Sequence, residues 1–373
     1  MGLCLLVALC LLAAAGGCAR QVDPAFVSSA AAQALPELHQ QQIRDVLAEH
    51  FGTPVNPQLM LPDPDSEEDD PALVEAADPD VLQHGAQVYN LRCAGCHGVT
   101  GDGNGPAAPH LQPKPRDYRN GVFKFTSTPY GAKPQRADLT RLIRSGAKGT
   151  SMPGFRFLPD EDLRAVVEYV IMLSYRGEVE RQLARIAELD YDADEEIDPF
   201  DFSDTLSGVH QSWEQAASQV VLPVTAQPRY NDESILLGRK AFLNKGCSKC
   251  HGDDGRGQTD WLSHEFIAAQ EALPEDQRVK INYDAWGQPA PAADLTARML
   301  HGGRRPIDIY RRVYTGINGT PMPAFEQALA QEPETMWNLV HYVLSIVEHR
   351  EVPGIDQITA DPLDTGTQSN DES

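Results

Sequence analysis

Two copies of the pattern Cys-x-x-Cys-His stand 154 positions apart in a chain of 373 residues: Cys93-Ala94-Gly95-Cys96-His97 and Cys247-Ser248-Lys249-Cys250-His251. On one turn of helix this spacing sets two sulfurs side by side, where each can form a thioether to one vinyl group of a single haem. The histidine that follows points its imidazole at the iron. A thioredoxin-like redox pair needs no such histidine. A zinc site could draw four thiolates from two Cys-x-x-Cys pairs, but it leaves the repeated histidine unexplained. Chance is excluded by composition, since seven cysteines and eleven histidines in the whole chain would produce the pentapeptide at about one position in a hundred thousand. The sequence therefore predicts two covalently bound haem c groups, attached at Cys93 and Cys96 and at Cys247 and Cys250. A chain of this length forms two or three compact units, so one haem falls to each half.

An iron held by one histidine needs a sixth ligand or stays open. Among the seven methionines, two occupy matching irregular settings: Gly149-Thr150-Ser151-Met152-Pro153-Gly154-Phe155 and Gly319-Thr320-Pro321-Met322-Pro323-Ala324-Phe325. Nothing regular aims such a side chain into an apolar core. Met152 and Met322 are thus the expected partners of His97 and His251, and a methionine thioether raises the potential of the iron it holds. Met172, Met299 and Met336 sit in amphipathic or helical stretches and read as core fillers.

The halves repeat beyond these motifs. Residues 138–153 align without a gap to 308–323 at a constant offset of 170, giving an amphipathic helix, a glycine (Gly146, Gly316) and the methionine loop. An apolar helix follows each loop, with Tyr169-Val170 and Tyr342-Val343. Before each attachment motif come a glycine and an aromatic residue four apart, Gly85 with Tyr89 and Gly238 with Phe242, as close helix crossing requires. The second half carries about sixteen more residues between its ligands, within 260–286, where 263–270 read as helix.

Each half resembles a class I cytochrome c domain, over roughly residues 80–176 and 232–350. Lys114-Pro115-Arg116-Asp117-Tyr118 and Pro291-Ala292-Ala293-Asp294-Leu295-Thr296 are similar to the loop such domains carry before their third helix. The resemblance implies an all-α chain: two tandem class I cytochrome c domains, each a small helical fold around a covalent haem, behind a mostly irregular N-terminal tether. It further implies that a proline carbonyl accepts the hydrogen bond of the proximal histidine, with Pro109 or Pro106 placed for this in the first domain and no counterpart in the second. Haem propionates could be met by Arg116, Tyr118, Trp286 or Arg298, against an ordinary packing role for each. His110, His264 and His301 are the histidines that could compete with methionine.

Residues 1–17 carry no charge and end in small residues, as in an export signal peptide. Ala15-Gly16-Gly17-Cys18 resembles a bacterial lipobox, which makes Cys18 the lipidation candidate and places the protein in the periplasm, tethered to a membrane; a soluble periplasmic form is the alternative. With Cys4 and Cys10 in the signal, no cysteine pair remains for a structural disulfide. Residues 18–80 read as an acidic, proline-rich tether with one helix at 37–51. The ranges 81–176 and 232–350 are the two cytochrome domains, joined by an acidic linker with helices, 177–231. A disordered tail fills 351–373. The acidic run at 190–204 lacks the central glycine and last-position glutamate of a calcium loop.

A formal charge of −23 excludes nucleic acid as a partner, because phosphate binding wants a basic face. The expected function is one-electron transfer without a bound substrate, so no enzyme. The candidate partners are a dehydrogenase, a quinol-oxidising complex, a terminal oxidase or a soluble cytochrome, each with a basic docking face. The alternative is a di-haem peroxidase with one open iron, which a methionine loop in both halves disfavours.

Overall fold

The computed structural model describes residues 25–63, 73–257, 264–274, 277–279 and 283–361. The signal, Cys18 and residues 362–373 lie outside it. Eight helices of ten or more residues carry the described architecture: α1 Glu37–Phe51, α2 Pro79–Arg92, α3 Arg136–Ser145, α4 Asp160–Asp190, α5 Pro199–Ala216, α6 Asp232–Asn244, α7 Pro306–Thr315 and α8 Glu334–Glu348. Two short strands, β1 Met60–Pro62 and β2 Leu73–Glu75, pair antiparallel. Among the described residues the architecture is all-α apart from this ribbon. No described helix is long and apolar enough to cross a membrane.

The helices start where the local chemistry allows. Asp78 caps α2 by accepting from the amides of Asp80 and Val81, with Pro79 in the first turn, where its missing N–H costs nothing. Asn231 caps α6 through Ser234 N at 3.0 Å. Asp160, Glu161 and Asp162 fill the first turn of α4 and favour its positive end.

In each half the first helix crosses the last at a glycine. A Cβ on Gly85 would lie 2.2 Å from the carbonyl oxygen of Ala165 in α4, and one on Gly238 would lie 1.9 Å from that of Asn338 in α8. Tyr89 then meets Tyr169 with ring centroids 5.2 Å apart, and Phe242 meets Tyr342 at the same 5.2 Å. The paired glycine and aromatic read from the sequence thus build the same crossing twice.

Three segments carry more structure than the sequence suggests. α4 runs unbroken through the closing helix and the charged stretch that follows it in the linker. Gly177 does not interrupt it, because that glycine makes room for the Arg119 backbone, whose Cα a Cβ would approach to 2.2 Å. The second half of α4 buries Val179, Leu183, Ala184 and Ala187 in the same core as Leu206, Val209 and Trp213 of α5. What reads as a linker is, up to Ala216, part of the first core. The helix predicted at 37–51 is present as α1, but Ile43, Leu47 and Phe51 pack into that core as well. This stretch is anchored rather than a spacer, because its apolar face finds the exposed length of α4. The described tail also returns to the second domain: Val352 is buried, and Asn244 and Asp361 exchange hydrogen bonds of 2.8 Å.

Candidate haem sites

Cys93 stands at the start of a single helical turn, Ala94–His97, that carries Cys96, and Cys247 starts its counterpart, Ser248–His251, that carries Cys250. All four cysteines are half-buried and free of disulfides. Burial pushes the thiols of Cys93 and Cys247 up to about 11. The turns are followed by loops with matching backbone bonds. Gly103 N donates to His97 O at 2.9 Å and Gly257 N to His251 O at 2.8 Å, while Tyr118 N and Leu295 N donate to Gly101 O and Gly255 O, both at 2.7 Å.

The proximal histidines are held by carbonyls the sequence did not single out. Nδ1 of His97 donates to Arg116 O at 3.1 Å, and Nδ1 of His251 donates to Ala293 O at 3.1 Å. The expectation for Pro109 or Pro106 is corrected: Pro109 lies in a short turn, Ala108–His110, nearer the attachment motif. The carbonyl comes instead from the residue before an aspartate that caps the next turn, Asp117 to Arg119 N and Asp294 to Thr296 N. The shared pattern of an aspartate followed by a large apolar residue, Asp117-Tyr118 and Asp294-Leu295, was the available signal. A proton on Nδ1 leaves the lone pair on Nε2, the state an iron ligand needs. Burial lowers the pKa of both imidazoles, which favours the neutral form.

The two methionine loops coincide bond for bond. Ala147 N donates to Met152 O at 3.3 Å and Ile317 N to Met322 O at 3.2 Å. The Thr150 and Thr320 hydroxyls donate to Ala147 O and Ile317 O, both at 2.8 Å, and accept from Met152 N at 3.2 Å and Met322 N at 3.3 Å. Phe155 N and Phe325 N close the loops onto Ile143 O and Val313 O. Both methionines are half-buried at equivalent points. Met172 and Met336 are buried core residues as expected, whereas Met299 is 53% exposed. It lies on the loop after a short 3-10 turn, not on a helix face, so the core role expected for it is corrected.

The cytochrome c oxidase, cbb3-type, subunit III family matches residues 80–170, and the cytochrome c family matches 235–346. The chain is a tandem di-haem c-type cytochrome. Its two domains imply two covalently bound haem c groups, and the paired cysteines, the carbonyl-held histidines and the repeated loops fit them. A solved chain of the Kuenenia stuttgartiensis reducing HAO-like protein complex is similar at 29% identity, over 71% of this chain and 96% of that one, with a TM-score of 0.51. No curated protein matches.

In this cytochrome the two methionine loops face the opposite domain. Gly149 packs beside His301 and Met299, and Gly319 beside Val122 and Trp286. Gly131 N donates to the side chain of Asn318 at 2.9 Å, and the Lys124 ammonium donates to Asp284 at 2.9 Å. The extended segment after α5 stitches both domains: Val221 N donates to Ser127 O at 2.8 Å, and Trp337 donates to Thr225 O at 2.9 Å. Tyr118 stacks on the imidazole of His97, while Trp286 packs on Arg116. Arg298 is exposed with left-handed backbone where the first domain has Gly121. His110 is exposed, and the His264 side chain lies outside the described residues.

Proposed function

We propose that the protein carries single electrons between redox partners through two His/Met-ligated haems, with His97 and Met152 on one iron and His251 and Met322 on the other. The observation that carries this reading is the bond-for-bond repetition of the whole site: attachment turn, proximal carbonyl and threonine-locked methionine loop. A haem c iron supplies reversible one-electron chemistry. The chain's own groups do the rest. The Arg116 and Ala293 carbonyls orient the imidazoles and strengthen them as donors. The Thr150 and Thr320 hydroxyls fix the methionine loops, and thioether ligation at both irons sets two high potentials.

The likeness to a chain of a reducing HAO-like complex supports a role as an electron-carrying subunit or close partner of a larger redox assembly. The charge of −23 favours a basic docking face on that partner, with association slowing as salt rises. The lipobox-like stretch at Cys18 supports a periplasmic, membrane-tethered location.

The test is optical. A pyridine haemochrome assay should give two haems per chain. The oxidised protein should show the weak far-red band of thioether-ligated ferric haem, reduced stepwise by Met152→Ala and Met322→Ala. A high-spin fraction in the native protein would replace this reading with the open-iron peroxidase.

A further inference from the structure

The second domain sends one loop onto the proximal side of the first haem site. Asp284, with its side chain 5% exposed, lies between two cations of the first domain, Lys124 at 2.9 Å and Arg116 at 3.7 Å. Its other oxygen accepts from the amides of Trp286 and Gln288, both at 3.0 Å, which fixes the loop. The guanidinium of Arg116 lies 3.6 Å from the centroid of the Trp286 ring, and Trp286 Nε1 donates to Asp117 O at 3.2 Å. Arg116 is the residue whose carbonyl accepts from His97.

The same loop also grips the second site. Ala285 N donates to Gly319 O at 2.8 Å, and a Cβ on Gly319 would lie 2.8 Å from the Trp286 ring. Gly319 opens the loop that ends in Met322. An unbroken chain of contacts therefore runs from His97 through Arg116, the Asp284–Trp286 loop and Gly319 to Met322.

We propose that Asp284 and Trp286 are positioning residues through which the two haem sites set each other's reduction potential. The proposal rests on the ligand assignment above. Asp284 holds a buried negative charge against two positive ones, one of them on the residue whose carbonyl holds His97, and its loss would leave both cations uncompensated. That favours the ferrous state, whose net charge is one lower. Trp286 acts by geometry: it holds the Arg116 side chain and the Asp117 carbonyl next to it on one side, and packs on the backbone of the methionine loop on the other.

The test is a potentiometric titration of the full-length holoprotein, followed optically, with each wave assigned by Met152→Ala and Met322→Ala. Asp284→Asn should raise the first-site potential about tenfold in reduced-to-oxidised ratio, or about 59 mV for one electron. Trp286→Leu should move both waves. Trp286→Phe, which keeps the packing and loses only the bond to Asp117, should return the second wave to its parent position and leave the first displaced. If Asp284→Asn does not fold with haem, the two Trp286 variants decide alone. Waves within twofold of the parent in every variant that keeps both haems and the far-red band would overturn the coupling. A parent protein without two haems or without that band would overturn the ligand assignment instead.

Discussion

The imidazole of His97 lies flat on the phenol of Tyr118, ring centroids 4.7 Å apart and planes 19° from parallel. Tyr118 is itself buried and stacked on Phe123 at 6.3 Å. The second domain places Leu295 at the corresponding point, so the two otherwise matching sites differ on their proximal sides. An aromatic face attracts positive charge, and such a contact contributes about 0.5–1.5 kcal/mol. Tyr118→Leu should therefore destabilise the oxidised state of the first haem and raise its midpoint potential, by a factor of about two to ten in reduced-to-oxidised ratio. The second wave should stay in place. Optical redox titration reads both, and an unmoved first wave would show that the stack is packing alone.

Gly85 and Gly238 set how closely the first and last helices of each domain approach. The atoms facing them are backbone carbonyls, which cannot step aside as a side chain would. Gly85→Ala and Gly238→Ala should each cost about 3 kcal/mol or prevent haem-bound folding of the affected domain. Urea unfolding followed at the haem absorption should show one of two transitions shifted and the other unmoved.

Both sites were legible because their chemistry is local: a turn with two cysteines and a histidine, and a loop locked by a threonine two residues before its methionine. The crossing glycines were legible because helices that close must shed their side chains. The proximal carbonyls were not, since a backbone acceptor has no side chain of its own to mark it and only the capping aspartate beside it, Asp117 or Asp294, repeats. The packing of α1 and α5 on α4 was hidden by composition, as acidic and proline-rich flanks outweighed the buried faces of Ile43, Leu47 and Val209. The contact of Trp286 with Arg116 joins residues 170 apart in sequence, and no motif announces it.

Phe51 tests whether the N-terminal helix belongs to the first domain. Its side chain is fully buried in the same core as Tyr89 and Tyr169. Phe51→Ala should remove about 3–5 kcal/mol from that domain's stability. A free tether would lose nothing. Denaturant melts of the variant should show the first-domain transition shifted and that of the second domain unchanged, with both haems still attached.

Asp308 opens α7 in a capping box with Arg305, accepting from its amide at 3.2 Å and its guanidinium at 2.7 and 3.0 Å. Burial alone would raise the Asp308 pKa, but the hydrogen bonds and charge of Arg305 outweigh it, and the carboxyl ends below its ordinary value. A carboxylate whose folded pKa is depressed adds stability that is present above the unfolded value and is lost as pH falls through the folded one. Arg305 is more than half exposed, with its side chain 58% accessible, so screening limits the pair to about 1 kcal/mol. Arg305→Gln should lower the melting temperature of the second domain at neutral pH by a few degrees. The gap between variant and parent should close on acidification below the ordinary carboxylate range, where Asp308 is protonated in both. A gap that persists unchanged in acid would assign the effect to lost packing of the arginine stem rather than to its charge.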